Sequence, residues 1–259
     1  MQQDIYDPKK PFNEQIRRLI QDTHPSDGPI VIKPHGKRFR RIMDNNYWKD
    51  YDPQDATDGT GTKGLLHWLL GTPENGVQDA FAMVMDDLME SGFVPVYLQD
   101  HIMMQKENEG HIFSVIRKLR DLCTQNPWET SDGRRYPIII TGGETAIINT
   151  LQGFEMGITA TGYVRKGEEI TPNVQDGDIL IGLGSNGVHS NGLSFYREEL
   201  FDRQHMRVDS PLPWGVTVGE ELTRPTYVYM PALKELEKQL RRNIHGMVHI
   251  TGGGLSKLH

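Results

Sequence analysis

Cysteine and long apolar runs are nearly absent from this 259-residue sequence. The single cysteine, Cys123, excludes an internal disulfide and argues against a cysteine-rich zinc site, so we expect a reducing compartment. No run approaches the ~20 apolar residues of a membrane helix, and residues 1–10 lack the apolar centre of a signal peptide. We therefore predict a cytoplasmic protein without a membrane partner, in which Cys123 is a packing thiol within a helix.

Positive charge is also scarce, because 28 lysines and arginines stand against 35 aspartates and glutamates, which gives a net charge of −7. This balance argues against a nucleic-acid partner. The one basic cluster, 37–41, could contact phosphate, but such a cluster is more often a solvated surface strand or turn. An acidic enzyme can nevertheless handle anionic phosphates when metal ions supply positive charge locally. The composition is that of a globular protein with one large or two ordinary domains.

Hydrophobic periodicity predicts a mixed α/β fold. Apolar residues at helical spacing predict helices over 12–20, 64–70, 77–91, 111–123, 193–201 and 231–240. Apolar runs rich in β-branched residues predict strands over 29–33, 93–98, 136–141, 154–164, 178–183 and 247–250. Loops are expected at 45–55 and 126–135, and the polar stretch 165–178 is the predicted domain boundary.

The stretch 56–63, A-T-D-G-T-G-T-K, has the composition of a phosphate site. Gly59 and Gly61 permit positive φ and close approach of a ligand, while Asp58 and Lys63 place opposite charges at the two ends. The spacing differs from that of a Walker loop. A glycine-rich tight turn between a strand and a helix would have the same composition, so both interpretations stay open.

Acidic residues recur at the ends of, or inside, separate predicted elements. Asp58 lies in the glycine-rich stretch, Asp86 and Asp87 lie inside a mostly apolar helix, and Glu144 follows the strand at 136–141. Oxygen ligands from several elements are what Mg²⁺ prefers, with phosphates and water completing its coordination. The alternative is that these residues only stabilise helix termini. Spacing alone leaves both interpretations open.

A second glycine-rich loop, 184–192, separates the predicted strand at 178–183 from the predicted helix at 193–201. Backbone N–H groups at the start of a helix can bind an anion. His189 in this loop could donate to a phosphate or transfer a proton, or it could simply cap the turn. A third glycine loop, 252–254, follows the strand predicted at 247–250, and we expect the C-terminal α/β domain to be incomplete.

Five motifs stand in a fixed order along the chain: T-D-G-T-G-T-K at 57–63, M-V-M-D-D-L-M-E-S-G-F-V-P-V-Y-L-Q-D at 83–100, T-G-G-E-T-A at 141–146, G-D-I-L-I-G-L-G-S-N-G-V-H-S-N-G-L-S at 177–194 and H-I-T-G-G-G-L at 249–255. Together they resemble the aminoimidazole ribonucleotide (AIR) synthetase or phosphoribosylformylglycinamidine cyclo-ligase family of AIR synthase-related proteins. The resemblance implies an extension at 1–54, an ATP-binding and dimerisation domain at 55–166, and a second domain at 167–259. It also implies a homodimer in which the N-terminal sheets form a barrel at the interface.

The resemblance further implies an ATP- and Mg²⁺-dependent ligase of purine biosynthesis that acts on a small phosphorylated substrate. It implies three catalytic residues, namely Asp87, Lys63 and His189, and three metal ligands, namely Asp58, Asp87 and Glu144. It implies a nucleotide site formed by Asp58, Gly59, Gly61, Thr62, Lys63, Gly142, Gly143, Glu144 and Thr145. It implies a substrate site formed by Ser185, Asn186, Gly187, His189, Ser190 and Asn191.

The sequence departs from the family pattern at three places. Asp86 stands where the family usually has asparagine, 147–150 replaces an E-M-P-G run, and a P-T-R segment is represented by Pro225, Thr226 and Tyr227. Two alternative functions follow. One is a small-molecule kinase of the thiamine-phosphate kinase type, and the other is a catalytically impaired homologue that serves as an assembly subunit.

Overall fold

Strands and helices alternate through the first two thirds of the chain, and short helices and loops make up the rest. The structure is a computed structural model that describes residues 12–35, 38–106 and 108–258. Its strands are β1 (Ile30–His35), β2 (Arg38–Met43), β3 (Tyr51–Gly59), β4 (Val94–Met104), β5 (Trp128–Glu129), β6 (Arg135–Tyr136), β7 (Ile139–Ile147) and β8 (Phe154–Arg165). Its helices are α1 (Phe12–Gln21), α2 (Asn45–Trp48), α3 (Lys63–Leu70), α4 (Pro73–Glu90), α5 (Glu109–Gln125), α6 (Leu193–Arg197), α7 (Val218–Leu222) and α8 (Met230–Leu240). A π-helical turn follows α6 at Glu198–Arg203, and 3-10 turns lie at Arg241–Asn243 and Gly254–Leu258.

A four-stranded sheet in the order β3-β8-β4-β7 forms the centre of the molecule and confirms the mixed α/β prediction. β8 pairs antiparallel with both β3 and β4, whereas β4 and β7 run parallel. Smaller two-stranded sheets are formed by β1 with β2 and by β5 with β6. The parallel pair requires a crossover between β4 and β7, which α5 supplies.

One face of the sheet is buried under α4 and α5. Alternate residues of the strands, such as Leu98 and Ile158, point toward Phe81 and Leu88 of α4 in a single core. α3 also packs closely on the sheet. A Cβ atom on Gly64 would lie 2.0 Å from the carbonyl oxygen of Phe154, so only glycine allows this helix to contact the β8 backbone.

Part of the opposite face of the sheet is open and polar. It carries the exposed side chains Thr57, Thr159, Gln99, His101 and Glu144, which lie on four neighbouring strands. Thr57 and Thr159 share a hydrogen bond of 2.9 Å between their hydroxyl oxygens. The other end of this face is covered by α2 and the β1–β2 hairpin, where Trp48 packs against Tyr163 with 4.2 Å between ring centroids.

Most predictions from long periodic segments are confirmed. The helices predicted at 12–20, 64–70, 77–91, 111–123 and 231–240 are α1, α3, α4, α5 and α8, and the strands predicted at 29–33, 93–98 and 154–164 are β1, β4 and β8. Cys123 is buried in α5, where burial raises the pKa of its thiol, and it is a packing residue as expected. Arg41 of the basic cluster lies on β2 over the ring of Tyr97. Gly36 and Lys37, and residues 1–11 of the predicted extension, lie outside the described residues.

Several local predictions are wrong. The expected loop at 45–55 contains α2 and most of the edge strand β3, whose exposed residues Pro53, Gln54 and Asp55 resemble a loop in sequence. The expected loop at 126–135 holds the short β5 and β6 and buries Trp128. The strand predicted at 136–141 begins later and continues through the G-G-E-T motif. The helix predicted at 193–201 changes to a π-helical turn at Glu198.

The two strands predicted in the C-terminal region, 178–183 and 247–250, are also wrong. Both segments are irregular, and Ile179 and Leu180 have exposed fractions of 86% and 83%. A strand needs a neighbour for its backbone hydrogen bonds, and no described segment pairs with either one. Apolar content therefore misled the prediction here.

The C-terminal region nevertheless packs against the sheet domain. Arg241, after α8, donates to the carbonyl oxygens of Gly92 and Glu168 and to the carboxylate of Glu237. Lys234 donates to the carbonyl oxygen of Pro127 at 2.6 Å. In the part of the chain that the structure describes, we find no helix with the length and apolarity needed to cross a bilayer.

Candidate functional site

A buried polar network joins α3, α4 and the segment 224–226. The Nζ atom of Lys63 donates to Asp79 Oδ1 at 2.9 Å and to the carbonyl oxygen of Arg224 at 2.6 Å. Nε2 of His67 donates to Asp79 Oδ2 at 2.7 Å. The backbone N–H and the hydroxyl of Thr226 both donate to Asp79 Oδ1, at 2.8 and 2.7 Å. One carboxylate therefore holds three parts of the chain together.

The network is fully enclosed, since the side chains of Lys63 and Asp79 are both 0% exposed. Burial lowers the pKa of Lys63, and the charge of Asp79 offsets part of that effect. Burial alone would raise the pKa of Asp79, but the hydrogen bond from His67 and the charge of Lys63 outweigh it and lower the pKa. Asp79 is therefore ionised and is matched by a cation, as a buried charge requires.

The loop 185–191, which is predicted to bind substrate, contacts this network through the segment 225–226. Asn186 Nδ2 donates to the carbonyl oxygen of Pro225 at 2.9 Å, and the hydroxyls of Ser190 and Thr226 are 3.0 Å apart. Asn191 Nδ2 contacts Met83 Sδ on α4 at 3.5 Å. The structure thus brings the 185–191 loop onto α4. Ser185 and Gly187 share a long contact of 3.5 Å within the loop.

His189 stands at the centre of the loop in an uncommon backbone conformation, with φ of 54°. Its Nε2 atom lies 2.7 Å from Asn186 Oδ1. Burial lowers the pKa of His189, and the positive charge of Lys63 lowers it further. The imidazole is therefore uncharged at neutral pH, as a proton acceptor or a neutral donor would be. The ring packs against those of Tyr227 and Tyr229.

The C-terminal end of α4 presents a cluster of carboxylates beside His249. Asp87 Oδ1 accepts a hydrogen bond from His249 Nδ1 at 2.7 Å, and Glu90 Oε2 accepts one from the His249 backbone N–H at 2.7 Å. Burial acts to lower the pKa of His249, but Asp87 and the neighbouring carboxylates outweigh it, so the pKa is raised. A protonated His249 therefore neutralises part of this cluster.

Asp86 differs from its neighbours because it is 2% exposed and neither carboxylate oxygen has a hydrogen bond of normal geometry. Burial raises its pKa to about 7, which the charge of His249 and a weak contact with the Tyr229 backbone only partly offset. A buried carboxylate without a partner is costly unless a proton or a cation neutralises it. Asp86 thus indicates a site where extra positive charge is favourable.

This imbalance predicts a pH-dependent effect of Asp86→Asn in metal-free buffer. The folded-state pKa of about 7 lies above the unfolded value, so the wild type loses stability as pH rises from about 4 to 7, because the unfolded chain ionises first. We expect the variant to gain about 1–3 kcal/mol over wild type at pH 8 and almost nothing at pH 4. Urea denaturation across this range measures the difference, with the exposed Asp202→Asn as a charge-matched control. A gain of equal size at every pH would contradict the prediction.

A cleft of about 460 Å³ opens next to these carboxylates. Asp87 and Glu90 line one side, Asp55 of β3 lines another, and Thr251 and Lys257 close it from the C-terminal region. Hard oxygen donors dominate the lining, which suits Mg²⁺ better than a soft metal. In the described ranges no three His, Cys, Asp or Glu side chains are grouped closely enough to hold a metal. Mg²⁺ commonly takes only one or two carboxylates together with phosphates and water, so the residues present fit that ion.

The glycine-rich stretch forms the turn between β3 and α3. Gly61 has φ of 57°, and its N–H donates to the carboxylate of Glu155 at 3.0 Å. The hydroxyl of Thr60 donates to the same carboxylate, and Asp58 Oδ1 accepts from the N–H of Gly59. The N–H groups of Gly59 and Gly61 and the hydroxyl of Thr60 thus donate to carboxylates of the same chain, which agrees with the tight-turn alternative. Thr62 is the N-cap residue of α3, which begins at Lys63.

The G-G-E-T segment lies on β7, at the far edge of the sheet from β3. Gly143 faces the helix side, where an added Cβ atom would lie 2.4 Å from Asp100 Oδ2, so glycine at this position leaves room for that carboxylate. Burial raises the pKa of Asp100 to about 7, and the charge of Glu144 adds to the effect. Three strand spacings of about 4.8 Å, or roughly 14 Å, separate β3 from β7. Gly142 and Glu144 point to the open face, and Thr145 follows beside Ile102 of β4.

Within one chain, the predicted residues therefore form separate groups. The structure brings Lys63, Asp87 and the 185–191 loop to α4, whereas Asp58 lies at the β3 turn and Glu144 lies on the opposite face of the sheet. Sequence reasoning missed Asp79 and His249. One signal could have revealed Asp79: α4 carries Asp79, Asp86 and Glu90 seven and four residues apart, which places three acids on one face of an otherwise apolar helix.

Comparison with known proteins gives two family matches that together cover most of the chain. The profile described as "AIR synthase related protein, N-terminal domain" matches residues 55–164. The profile described as "AIR synthase related protein, C-terminal domain" matches residues 175–258.

Similar individual proteins carry related names. A phosphoribosylformylglycinamidine cyclo-ligase of Methanobrevibacter smithii is 34% identical over 206 residues, which cover 78% of this chain and 58% of that protein. One of Methanococcus vannielii is 32% identical over 257 residues, which cover 98% of this chain and 68% of that protein. A crystal structure of thiamine-monophosphate kinase from Stenotrophomonas maltophilia K279a aligns with 88% of this chain and 64% of its own, with a TM-score of 0.49 and 14% identity. The chain thus spans less than two thirds of the first relative.

Proposed function

Because this chain belongs to the AIR synthase related protein family, we propose that it is an ATP-dependent cyclo-ligase that converts formylglycinamidine ribonucleotide to aminoimidazole ribonucleotide in purine biosynthesis. One observation carries the proposal. The 185–191 loop, with an uncharged His189, is held on α4 within the same region as the carboxylates of Asp87 and Glu90. A phosphorylated substrate on the loop would thereby meet a nucleotide whose metal is held at the end of α4.

The reaction that this arrangement would serve has two steps. ATP would phosphorylate the amide oxygen of the substrate and leave as ADP, and an internal amine would then displace inorganic phosphate and close the imidazole ring. Mg²⁺ supplies positive charge to the phosphates when bound. Asp87 would be its main ligand in this chain, and the orphaned Asp86 beside it supports the need for a cation here.

Lys63 and His189 have distinct parts in this proposal. Lys63 is enclosed by Asp79 and Arg224, so it would act as a fixed charge beneath the loop. Its effect on His189 is to favour the neutral ring. A neutral His189 would accept or relay the proton released when the amine attacks. Ser185, Asn186, Gly187, Ser190 and Asn191 would bind the substrate around it.

The remaining predicted residues enter the proposal through a homodimer. If a second copy completes the site, nucleotide and metal would bind to two segments of the chain. One segment contains Asp58, Gly59, Gly61 and Thr62, and the other contains Gly142, Gly143, Glu144 and Thr145. The open polar face of the sheet supports such pairing, because Glu144 and His101 point outward on it. We also propose that the protein is cytoplasmic, because its single cysteine is a free, buried thiol, as is usual in a reducing compartment.

Product analysis tests the proposed reaction. With ATP, Mg²⁺ and formylglycinamidine ribonucleotide, we expect equal amounts of ADP, inorganic phosphate and the cyclised product. A phosphorylated product without inorganic phosphate, from this substrate or from thiamine phosphate, would establish a kinase instead. A folded sample that binds no Mg²⁺-ATP in calorimetry and shows no turnover would support the catalytically impaired alternative. The 259-residue chain is used in every case, with a sample lacking Mg²⁺ as the control.

A further inference from the structure

A chain of hydrogen bonds leads from the buried Asp79 to the 185–191 loop. The Thr226 hydroxyl donates to Asp79 Oδ1 at 2.7 Å, and Ser190 Oγ lies 3.0 Å from the oxygen of the same hydroxyl. An ionised carboxylate can only accept, so the Thr226 hydrogen points toward Asp79. The Ser190 hydroxyl must then be the donor to Thr226. The direction of both bonds is therefore set by Asp79.

The same segment holds the other end of the loop. The N–H of Thr226 also donates to Asp79 Oδ1, which fixes the 225–226 backbone, and the carbonyl oxygen of Pro225 accepts from Asn186 Nδ2. The loop is thus attached at Asn186 and Ser190, on either side of His189. Residues with positive φ such as His189 persist only where the surroundings hold them.

We propose that Asp79 is a positioning residue that sets the conformation of the 185–191 loop, and with it the orientation of His189, through Thr226 and Ser190. The part of this inference that concerns the substrate rests on the proposed function. Asp79 touches no ligand in this role. Asp79 Oδ1 accepts the hydrogen bonds of Thr226 and thereby fixes the position of that residue. Lys63 and His67 of α3 in turn donate to the Asp79 carboxylate and hold it in place.

Two substitutions at Thr226 separate this role from ordinary packing. Thr226→Val removes the hydroxyl but keeps the shape, whereas Thr226→Ser keeps the hydroxyl. Thr223→Val is the matched control, because Thr223 is also a buried threonine but its hydroxyl donates to the carbonyl oxygen of Gly219 and not to Asp79 or the loop. Amide hydrogen exchange of residues 185–191 is measured on the unliganded full chain, together with the NMR titration of His189.

We expect Thr226→Val to speed exchange in the loop at least tenfold and to raise the pKa of His189 toward its ordinary value. Thr226→Ser and Thr223→Val should leave both unchanged. In the turnover assay, Thr226→Val should raise KM at least tenfold with a smaller change in kcat. Unaltered loop exchange and an unaltered His189 titration in a folded Thr226→Val protein would overturn the proposal.

A second variant, and readouts that need no substrate, allow the positioning role of Asp79 to be tested separately from folding and from the proposed function. If Thr226→Val does not fold, Ser190→Ala replaces it, because this change removes the loop end of the chain and leaves the bonds of Asp79 intact. A wild-type protein without cyclo-ligase activity would contradict the proposed function only, since the exchange and titration readouts need no substrate. A normal loop in Ser190→Ala would overturn the positioning role alone.

Discussion

Replacing Lys63 with methionine is expected to lower the free energy of unfolding by about 3–5 kcal/mol. Methionine keeps most of the apolar stem, so the main change is the loss of the ammonium that faces Asp79. The carboxylate would then be buried with His67 and Thr226 as its remaining donors, and the carbonyl oxygen of Arg224 would lose its partner. Breaking a buried pair costs more than the pair contributes, because one charge is left uncompensated.

Urea denaturation at neutral pH measures this effect, and two variants make it specific. Lys63→Met combined with Asp79→Asn removes both charges and should recover part of the loss, which defines a coupling free energy. Arg207→Met breaks an exposed ion pair with Asp209 and should change stability little. A folded Lys63→Met protein as stable as wild type would show that Lys63 is free for a ligand, as the phosphate-binding interpretation of the sequence supposes.

Asp87→Asn is expected to lower kcat for the proposed reaction by about 10²–10³-fold, the loss typical of one well-placed electrostatic contact in a transition state. Asparagine preserves the size of the side chain and can still face His249, so the fold should be retained. What is removed is the negative charge that would hold Mg²⁺ near the transferred phosphoryl group.

The assay is ADP release with the purine precursor, accompanied by calorimetry with Mg²⁺ and ATP. Asp202→Asn, an exposed position on the π-helical turn, serves as the control for losing one carboxylate. We expect weaker Mg²⁺-dependent nucleotide binding only in Asp87→Asn. Turnover equal to wild type would remove Asp87 from the metal site, whether or not the reaction itself is the proposed one.

The fold could be predicted from sequence where a segment has a clear period and packs against the core. α4 and α5 are predicted correctly because their apolar residues recur at helical spacing, and β8 because its sequence is rich in apolar and β-branched residues. β3 was missed because an edge strand with Pro53 and two polar neighbours has the composition of a loop. The opposite error occurs at 178–183, where a strand is predicted but the structure has none. Apolar residues alone do not provide a neighbouring strand for backbone hydrogen bonds.

The candidate site was predictable in its residue types but not in its connections. The glycine-rich stretch and the 184–192 loop were both visible, and the loop does meet α4. That Lys63 faces Asp79 depends on how α3 crosses α4, which no local pattern specifies. The contact between Asp79 and Thr226 joins residues 147 positions apart. Long-range partners of this kind decide whether a charged residue serves a ligand or the interior.

The buried network also limits how far this protein can be treated as modular. The family profiles divide it near residue 170, yet the ammonium of Lys63 has its second acceptor at Arg224, and the guanidinium of Arg241 reaches back to Gly92. A fragment cut between the two matched regions would expose charged groups whose partners lie on the other piece. The two matched regions are therefore expected to fold and to be expressed as one unit rather than as interchangeable parts.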